Sequence, residues 1–279
     1  MLSIKFSEIA DYPAPVRLGI FTIALLVIWL PLAAPIYWLL GSDRNLVTIL
    51  TMGLMFVEFL FLLRFWGKKV YDRPQIYKHY GLVWTRQNGI DFLKGLSIGL
   101  WFCLGLFILE GLLGWLEWTT PTVALFLVIA EGLLSALGIA LAEELLFRGW
   151  ILDELERDYQ PQTVLWVNAI LFASCHFIKP IEEIIRTFPT FPALILLGLS
   201  LVWAKRGHKN RLGICIGLHA GLVWGYYIVN VGKLVQNTEK ISPLITGIDS
   251  NPIAGVTGLL FLGILAFWMR TKTIEPPAV

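Results

Sequence analysis

Long runs of apolar residues, separated by short polar stretches, recur along the whole chain. A run of about 20 apolar residues is long enough for a helix to cross a bilayer. Strands of a membrane barrel would instead need segments of about ten residues in which apolar and polar positions alternate, and the sequence has none. We therefore predict an all-α fold, a polytopic membrane helical bundle of about eight transmembrane helices. The apolar runs lie near residues 17–40, 46–66, 90–114, 121–153, 163–178, 190–204, 211–231 and 252–269.

Two of these runs carry further information. The first, 18–40, is longer than the apolar part of a cleavable signal peptide, which spans about 7–15 residues, so we expect an anchor that stays in the membrane. The fourth, 121–153, is too long for one straight crossing, and we expect it to be tilted, kinked or partly re-entrant. The polar segment 153–162 then predicts a turn, so that the fourth and fifth helices form a hairpin.

The composition agrees with a membrane protein. Hydrophobic residues make up 57% of the chain and charged residues 15%, whereas soluble domains carry about 25% charged residues. The net charge of +2 indicates no nucleic-acid partner. The basic cluster 205–211 is better explained as a signal for membrane topology.

The distribution of basic residues predicts an orientation. Lysine and arginine concentrate in cytoplasmic loops of membrane proteins. If the N-terminus is cytoplasmic, most of the 22 basic residues fall on that side, including those of the loop 64–94 and the cluster 205–211. We therefore predict that both termini are cytoplasmic, in a multi-pass protein of the cell membrane, either inner or plasma membrane.

Five polar residues interrupt the apolar pattern of three helices: Glu143, Glu144, Arg148, His176 and His219. A charge at the centre of a bilayer costs about 3 kcal/mol or more, and such residues are usually functional. Because Glu144 and Arg148 are four residues apart, they share one helix face and we expect them to pair. Glu143 is rotated by about 100° from Glu144, which leaves its carboxylate for chemistry.

The predicted hairpin brings these residues together. Glu143 and His176 are equally distant from the turn, each roughly 20–25 Å along its helix. His219 lies about 12 Å into its own helix from the same side. We therefore expect the three side chains to converge in one cavity. A glutamate and a histidine around one water can act as a general base, and a second histidine can donate to an oxyanion, as amide hydrolysis requires.

The order of these residues resembles a known family. The pattern EExxxR, then FxxxH, then a histidine on a third helix is similar to that of the CPBP intramembrane glutamic endopeptidases, the ABI family related to the CAAX prenyl endopeptidase. The first two motifs are Glu143, Glu144 and Arg148, followed by Phe172 and His176. The resemblance covers about 121–231, which would be the catalytic core of a single membrane domain, 1–279. The preceding residues, 1–120, would supply the N-terminal spans and a basic cytoplasmic loop.

The resemblance implies a role for each residue. Glu143 would activate the hydrolytic water with help from His176, and His219 would belong to the oxyanion site. The supporting residues would be Glu144, Arg148 and Phe172. It implies no metal and no other cofactor. The partners would be the lipid bilayer and a peptide or protein substrate, lipidated in the CAAX branch of the family or a leader peptide or peptide toxin in the bacteriocin branch.

One position departs from the family pattern. The family usually carries Asn or Asp four residues after the third histidine, where this chain has Val223. Asn230 lies about three helical turns from His219, and Asn168 is on another helix, so neither replaces it directly. Loss of one oxyanion donor typically slows catalysis about 10²–10³-fold.

Other functions stay open. Glu143, His176 and His219, with Cys215 as a further candidate, could be zinc ligands, although the chain has no HExxH motif. The segment 95–99 matches the GxSxG pattern of a serine nucleophile, which is common wherever small residues pack membrane helices. A membrane scaffold or receptor without catalysis, or less readily a transporter, would also retain buried polar residues.

Overall fold

The computed structural model describes residues 5–121, 123–238 and 240–274. Within these residues the chain forms helices and one pair of short strands. The long helices are α1 (Ala14–Leu40), α2 (Arg44–Lys69), α4 (Arg86–Leu112), α5 (Leu125–Glu144), α7 (Pro161–Cys175), α9 (Phe191–Gly207), α10 (Gly213–Val231) and α12 (Val256–Ile274). The short ones are α3 (Ile76–His79), α6 (Leu152–Glu156), α8 (Ile181–Thr187) and α11 (Pro243–Thr246). Short 3₁₀ turns occupy Phe6–Asp11, Phe188–Thr190, Ile248–Ser250 and Pro252–Ala254.

The all-helical fold predicted from the sequence is confirmed. Among the described residues, 6 helical segments are long and apolar enough to cross a membrane, which supports a multi-pass integral membrane protein. Helix α7, expected to be a full crossing, has only 15 residues. At 1.5 Å per residue it spans about 22 Å, less than the roughly 30 Å of a bilayer core. Helix α12 lies where the last crossing was expected and is not among the 6 segments.

The long fourth segment is one continuous helix of 32 residues, Leu125–Glu156. Its regular α geometry is interrupted by a π-helical stretch, Leu145–Ile151, which we call the π segment. The expected irregularity of this run therefore takes the form of a local change in hydrogen bonding. Helix α6 ends at Glu156 and α7 begins at Pro161, so the predicted turn between the fourth and fifth helices is confirmed.

Helices α4 and α10 pack with their backbones in close contact. Gly95 and Gly99 on α4 face Gly217 and Gly221 on α10. A Cβ atom added at any of these glycines would lie 2.0–2.4 Å from a backbone oxygen of the partner helix. Small residues allow such close approach between membrane helices. Packing against α10 thus explains the two glycines of the GxSxG pattern. The serine of the pattern, Ser97, is exposed.

A buried ion pair ties the first helices to α6. Arg17 of α1 and Glu154 of α6 are 2% and 0% exposed, with Nε and Oε2 2.7 Å apart. The hydroxyl of Tyr71 and the indole of Trp66 also donate to Glu154. Burial, together with the neighbouring Glu154 carboxylate, raises the pKa of the Tyr71 hydroxyl. This cluster fixes α1 and α2 against the end of the helix that carries the candidate site.

Two strands of three residues, β1 (Leu116–Trp118) and β2 (Val235–Asn237), pair antiparallel. They follow the carboxyl ends of α4 and α10, the two helices in closest contact. The sequence did not predict them, because three residues are too few to show a periodic pattern. The pair joins the ends of the same two helices that the glycines join within the bundle.

We predict that Gly99→Ala lowers the thermal unfolding midpoint of the protein in detergent, because the new methyl group would push α4 away from α10. Overpacking of this kind typically costs about 1–3 kcal/mol. Gly105→Ala, on the same helix, is the control, because an added Cβ there meets nothing within 4 Å. It should leave the midpoint unchanged or raise it. Equal midpoints for the two variants would contradict the packing described.

Candidate active site

A buried carboxylate–guanidinium pair lies at the junction of α5 and the π segment. Glu144 and Arg148 are both 0% exposed, and Glu144 Oε1 lies 3.0 Å from Arg148 Nη1. The predicted pairing of these two residues is therefore confirmed. Arg148 Nη2 also donates to the carbonyl of Gly198 on α9, at 3.2 Å. Each of these bonds offsets part of the cost of burying the charges.

His219 is held by the same carboxylate. Its Nδ1 lies 2.8 Å from Glu144 Oε1, and the residue is buried on α10. Because an ionised carboxylate only accepts hydrogen bonds, Nδ1 carries the hydrogen. This bond sets the ring orientation, with Nε2 on the side of Glu143.

Glu143 lies between the two histidines. Its Oε2 is 3.9 Å from Nε2 of His176 and 3.9 Å from Nε2 of His219. The Glu143 and His176 side chains are 29% and 33% exposed, so this part of the cluster is accessible from outside the protein. Glu144, behind it, is buried. Glu143 Oε2 is buried and has no hydrogen-bond partner among the described residues.

His176 is the C-cap residue of α7, so it sits where that short helix ends. Its Nδ1 is 2.8 Å from the carbonyl of Phe172, one turn earlier. A carbonyl only accepts, so Nδ1 donates and Nε2 faces Glu143. The early end of α7, which makes it too short for a full crossing, is thus what presents His176 to the cluster.

The ring of Phe172 occupies the space between the charged groups. The Arg148 guanidinium lies 4.3 Å from its centroid, a cation–π contact. The centroids of the His176 and His219 rings lie at 4.8 and 6.1 Å, both edge-on. Phe172 is fully buried. It therefore packs against the arginine and both histidines at once and limits their movement.

Sequence reasoning did not identify the contacts of two buried residues, Asn168 and Lys205, in this neighbourhood. Asn168 of α7 donates through Nδ2 to the carbonyl of Phe147 at 2.8 Å. Lys205 of α9 donates to the carbonyl of Arg148. Lys205 had been assigned to the basic topology cluster 205–211, but it is 5% exposed. The signal that could have revealed it was its spacing of four from Leu201, which continues the buried row of α9.

The departure at Val223 has a structural counterpart. Val223 and His219 line a cavity of about 210 Å³, whose other walls include Leu222, Phe261 and Leu262. Most of the cavity wall is apolar, although Tyr226 and Asn251 also line it, and Glu143 and His176 are not among its lining residues. Asn230 is exposed, farther along α10, and does not replace the missing amide.

The rival sites show different geometry. Cys215 donates to the carbonyl of Leu201, toward α9, and Cys175 is exposed. The described part of the chain has no group of three or more His, Cys, Asp or Glu side chains with the geometry of a metal site. Glu131 is exposed. Glu58 has two buried carboxylate oxygens with no partner among the described residues.

Comparison with known proteins agrees with the motifs. Residues 124–225 match the model of a family described as Rce1-like, type II CAAX prenyl endopeptidase. The match confirms the resemblance to the CPBP and CAAX protease family and supports a peptidase. The matched segment contains all six predicted site residues: Glu143, Glu144, Arg148, Phe172, His176 and His219. No curated protein and no solved structure matches the chain.

We predict that Arg148→Met strongly lowers the thermal unfolding midpoint in detergent. Removing one partner of a buried ion pair leaves the other charge uncompensated, at a typical cost of about 3–5 kcal/mol. Arg186→Met is the control, because the Arg186 side chain is 49% exposed and pairs with exposed carboxylates. Exposed pairs contribute about 0–1 kcal/mol. If Arg148→Met were as stable as Arg186→Met, Glu144 could not depend on Arg148 as described.

Proposed function

We propose that the protein is an intramembrane endopeptidase in which Glu143 activates a water molecule for attack on a peptide bond. The observation that carries this proposal is the position of Glu143 Oε2, 3.9 Å from an imidazole Nε2 on each side. A direct hydrogen bond would be about 2.7–3.2 Å long. The Glu143 and His176 side chains are both partly exposed, so a water that enters from that side would contact the carboxylate and a histidine.

We assign the two histidines different roles, because a carbonyl lies behind the ring of His176 and a carboxylate behind the ring of His219. His176 has its Nδ1 hydrogen engaged by the Phe172 carbonyl, so its Nε2 can accept a hydrogen bond from the water and orient it. His219 has its Nδ1 hydrogen engaged by Glu144. As an imidazolium, His219 would balance the charges of Glu143, Glu144 and Arg148 to zero, and its Nε2–H would be a donor.

The proposed reaction follows from these assignments. Glu143 takes a proton from the water as the hydroxide oxygen attacks the carbonyl carbon of the peptide bond. The carbonyl oxygen becomes an oxyanion and accepts the hydrogen bond of His219 Nε2. Glu143 then returns its proton to the amide nitrogen, and the carbon–nitrogen bond breaks to give a carboxylic acid and an amine. Glu144, Arg148 and Phe172 position the reacting groups and do not contact the substrate.

Val223 lowers the turnover rate that we expect for peptide cleavage. Because Val223 stands where the family pattern has Asn or Asp, the oxyanion would have one side-chain donor fewer from this helix. We expect turnover to be about 10²–10³-fold slower than with that donor present. The same feature favours the second candidate, a membrane scaffold that has kept the helices and lost catalysis.

The membrane arrangement completes the proposal. We propose eight crossings or partial crossings, α7 being partial, with both termini and the basic loops on the cytoplasmic side of the inner or plasma membrane. The substrate would be a peptide or protein segment delivered at the bilayer. The description of the matching family makes a C-terminal peptide carrying a prenyl group the first substrate to test.

The test compares Glu143→Gln with the wild-type protein in liposomes, using a peptide library that includes prenylated peptides, with products identified by mass spectrometry. We predict that cleavage by the wild type is lost in Glu143→Gln, because the amide cannot accept the proton from water. Glu131→Gln is the matched control, since Glu131 is an exposed glutamate on the same helix, and it should cleave like the wild type.

Cleavage that persists in Glu143→Gln would contradict the assignment of Glu143. Cleavage lost equally in Glu131→Gln would indicate a general effect of removing charge from α5. A wild-type protein that cuts no peptide in the library would favour the scaffold.

A further inference from the structure

Two backbone carbonyls of the π segment accept hydrogen bonds from side chains of other helices, although one of them, that of Phe147, also accepts from the backbone N–H of Leu152. In a π-helix the hydrogen bonds run from residue i to i+5, so the transition from α geometry disturbs the regular pairing of carbonyls and amides. Here the carbonyls of two consecutive residues, Phe147 and Arg148, receive hydrogen bonds from side chains on other helices. The donors are Asn168 of α7 and Lys205 of α9.

Both donors are buried. Asn168 is 0% exposed and Lys205 is 5% exposed. Within the described ranges, Lys205 has no carboxylate at salt-bridge distance, so the Arg148 carbonyl is its hydrogen-bonding partner. Burying a charged group is costly unless it is hydrogen-bonded, and a bond between an ammonium and a carbonyl is stronger than one between neutral groups. Lys205 therefore constrains the position of the Arg148 backbone.

A continuous chain of contacts leads from these donors to Glu143. Lys205 fixes the Arg148 backbone, the Arg148 guanidinium binds Glu144 at 3.0 Å, and Glu144 binds His219 at 2.8 Å. The Nε2 of His219 then lies 3.9 Å from Glu143. A shift of the π segment would thus be transmitted to the ring that faces the candidate base.

We propose that Asn168 and Lys205 are positioning residues: they hold the π segment in register so that Glu144 keeps His219 oriented toward Glu143. The kinetic consequence rests on the proposed function, whereas the structural consequence does not. Neither residue contacts the reacting atoms. Their effect is exerted through Phe147, Arg148 and Glu144.

The decisive variant is Lys205→Met, which keeps the length of the side chain and removes its donor. Arg206→Met is the matched control: Arg206 is the next residue of α9 and bonds to Glu156 and to the carbonyl of Pro161, outside the π segment. Lys205→Arg should restore the wild-type behaviour, because the guanidinium is also a donor. Asn168→Leu tests the second donor independently.

The first measurement is nuclear magnetic resonance of the histidine rings, with histidine nitrogen atoms isotopically labelled. The chain has only 4 histidines, so His219 can be assigned by substitution. In Glu144→Gln, the His219 Nδ1 signal should shift because its carboxylate acceptor is lost. We expect Lys205→Met and Asn168→Leu to shift the same signal, while Arg206→Met leaves it unchanged and Lys205→Arg restores it.

The second measurement is kinetic, with any peptide that the wild-type protein cleaves. We expect Lys205→Met to lower kcat about 10–100-fold, since small displacements of reacting groups have effects of this size. KM should stay within about twofold, because substrate binding is untouched. A merely structural role would reduce the amount of folded protein and leave kcat per folded molecule and the His219 signal as in the wild type.

These outcomes separate the two proposals. If folded Lys205→Met protein has an unchanged His219 signal and an unchanged kcat, the positioning role is overturned, even if Glu143→Gln abolishes cleavage. A shifted signal in a protein that cleaves nothing would support the positioning role while the proposed function fails. If Lys205→Met does not fold, Asn168→Leu gives the same comparison, and a wild-type His219 signal in folded Asn168→Leu protein would overturn the proposal.

Discussion

The buried ion pair of Glu144 and Arg148 is the interaction on which the rest of the site depends. A charge within a membrane helix bundle is tolerated only when it is paired and hydrogen-bonded. Both residues are fully buried here, and their bonds reach three other elements of the fold. Glu144 binds His219 of α10, and Arg148 binds the carbonyl of Gly198 on α9 and the ring of Phe172 on α7. One ion pair thereby specifies how four helices are arranged.

The same arrangement separates two adjacent glutamates into different environments. Glu144 points into the closed interior, where its Oε1 accepts bonds from Arg148 and His219. Glu143, one residue earlier, is partly exposed and faces the two Nε2 atoms. This division requires α10 to lie close to α5, so that His219 reaches Glu144. The glycines that bring α10 against α4 help to fix the position of α10, because side chains there would meet the partner backbone.

The sequence could predict those contacts that depend on the spacing of residues along one helix or one hairpin. The Glu144–Arg148 pair follows from a spacing of four on a helix, and the approach of Glu143 to His176 follows from a hairpin of known length. The contact of His219 with Glu144 could not be predicted, because it depends on how α10 packs in three dimensions. The burial of Lys205 was missed because a lysine at the start of a basic cluster resembles a loop residue, although its spacing of four from Leu201 continues the buried row of α9. The length of α7 was overestimated, because the predicted run continues to residue 178 whereas the helix ends at Cys175.

In the proposed mechanism, water activated by a glutamate attacks the peptide bond directly. The most direct test is cleavage of a peptide in heavy-oxygen water with hydroxylamine present, followed by mass spectrometry of the product. We predict heavy oxygen in the new carboxyl terminus and no hydroxamate, because no covalent intermediate forms. Hydroxamate at the cleavage site would reveal an acyl-enzyme, as in proteases that use a side-chain nucleophile, and would contradict the role assigned to Glu143.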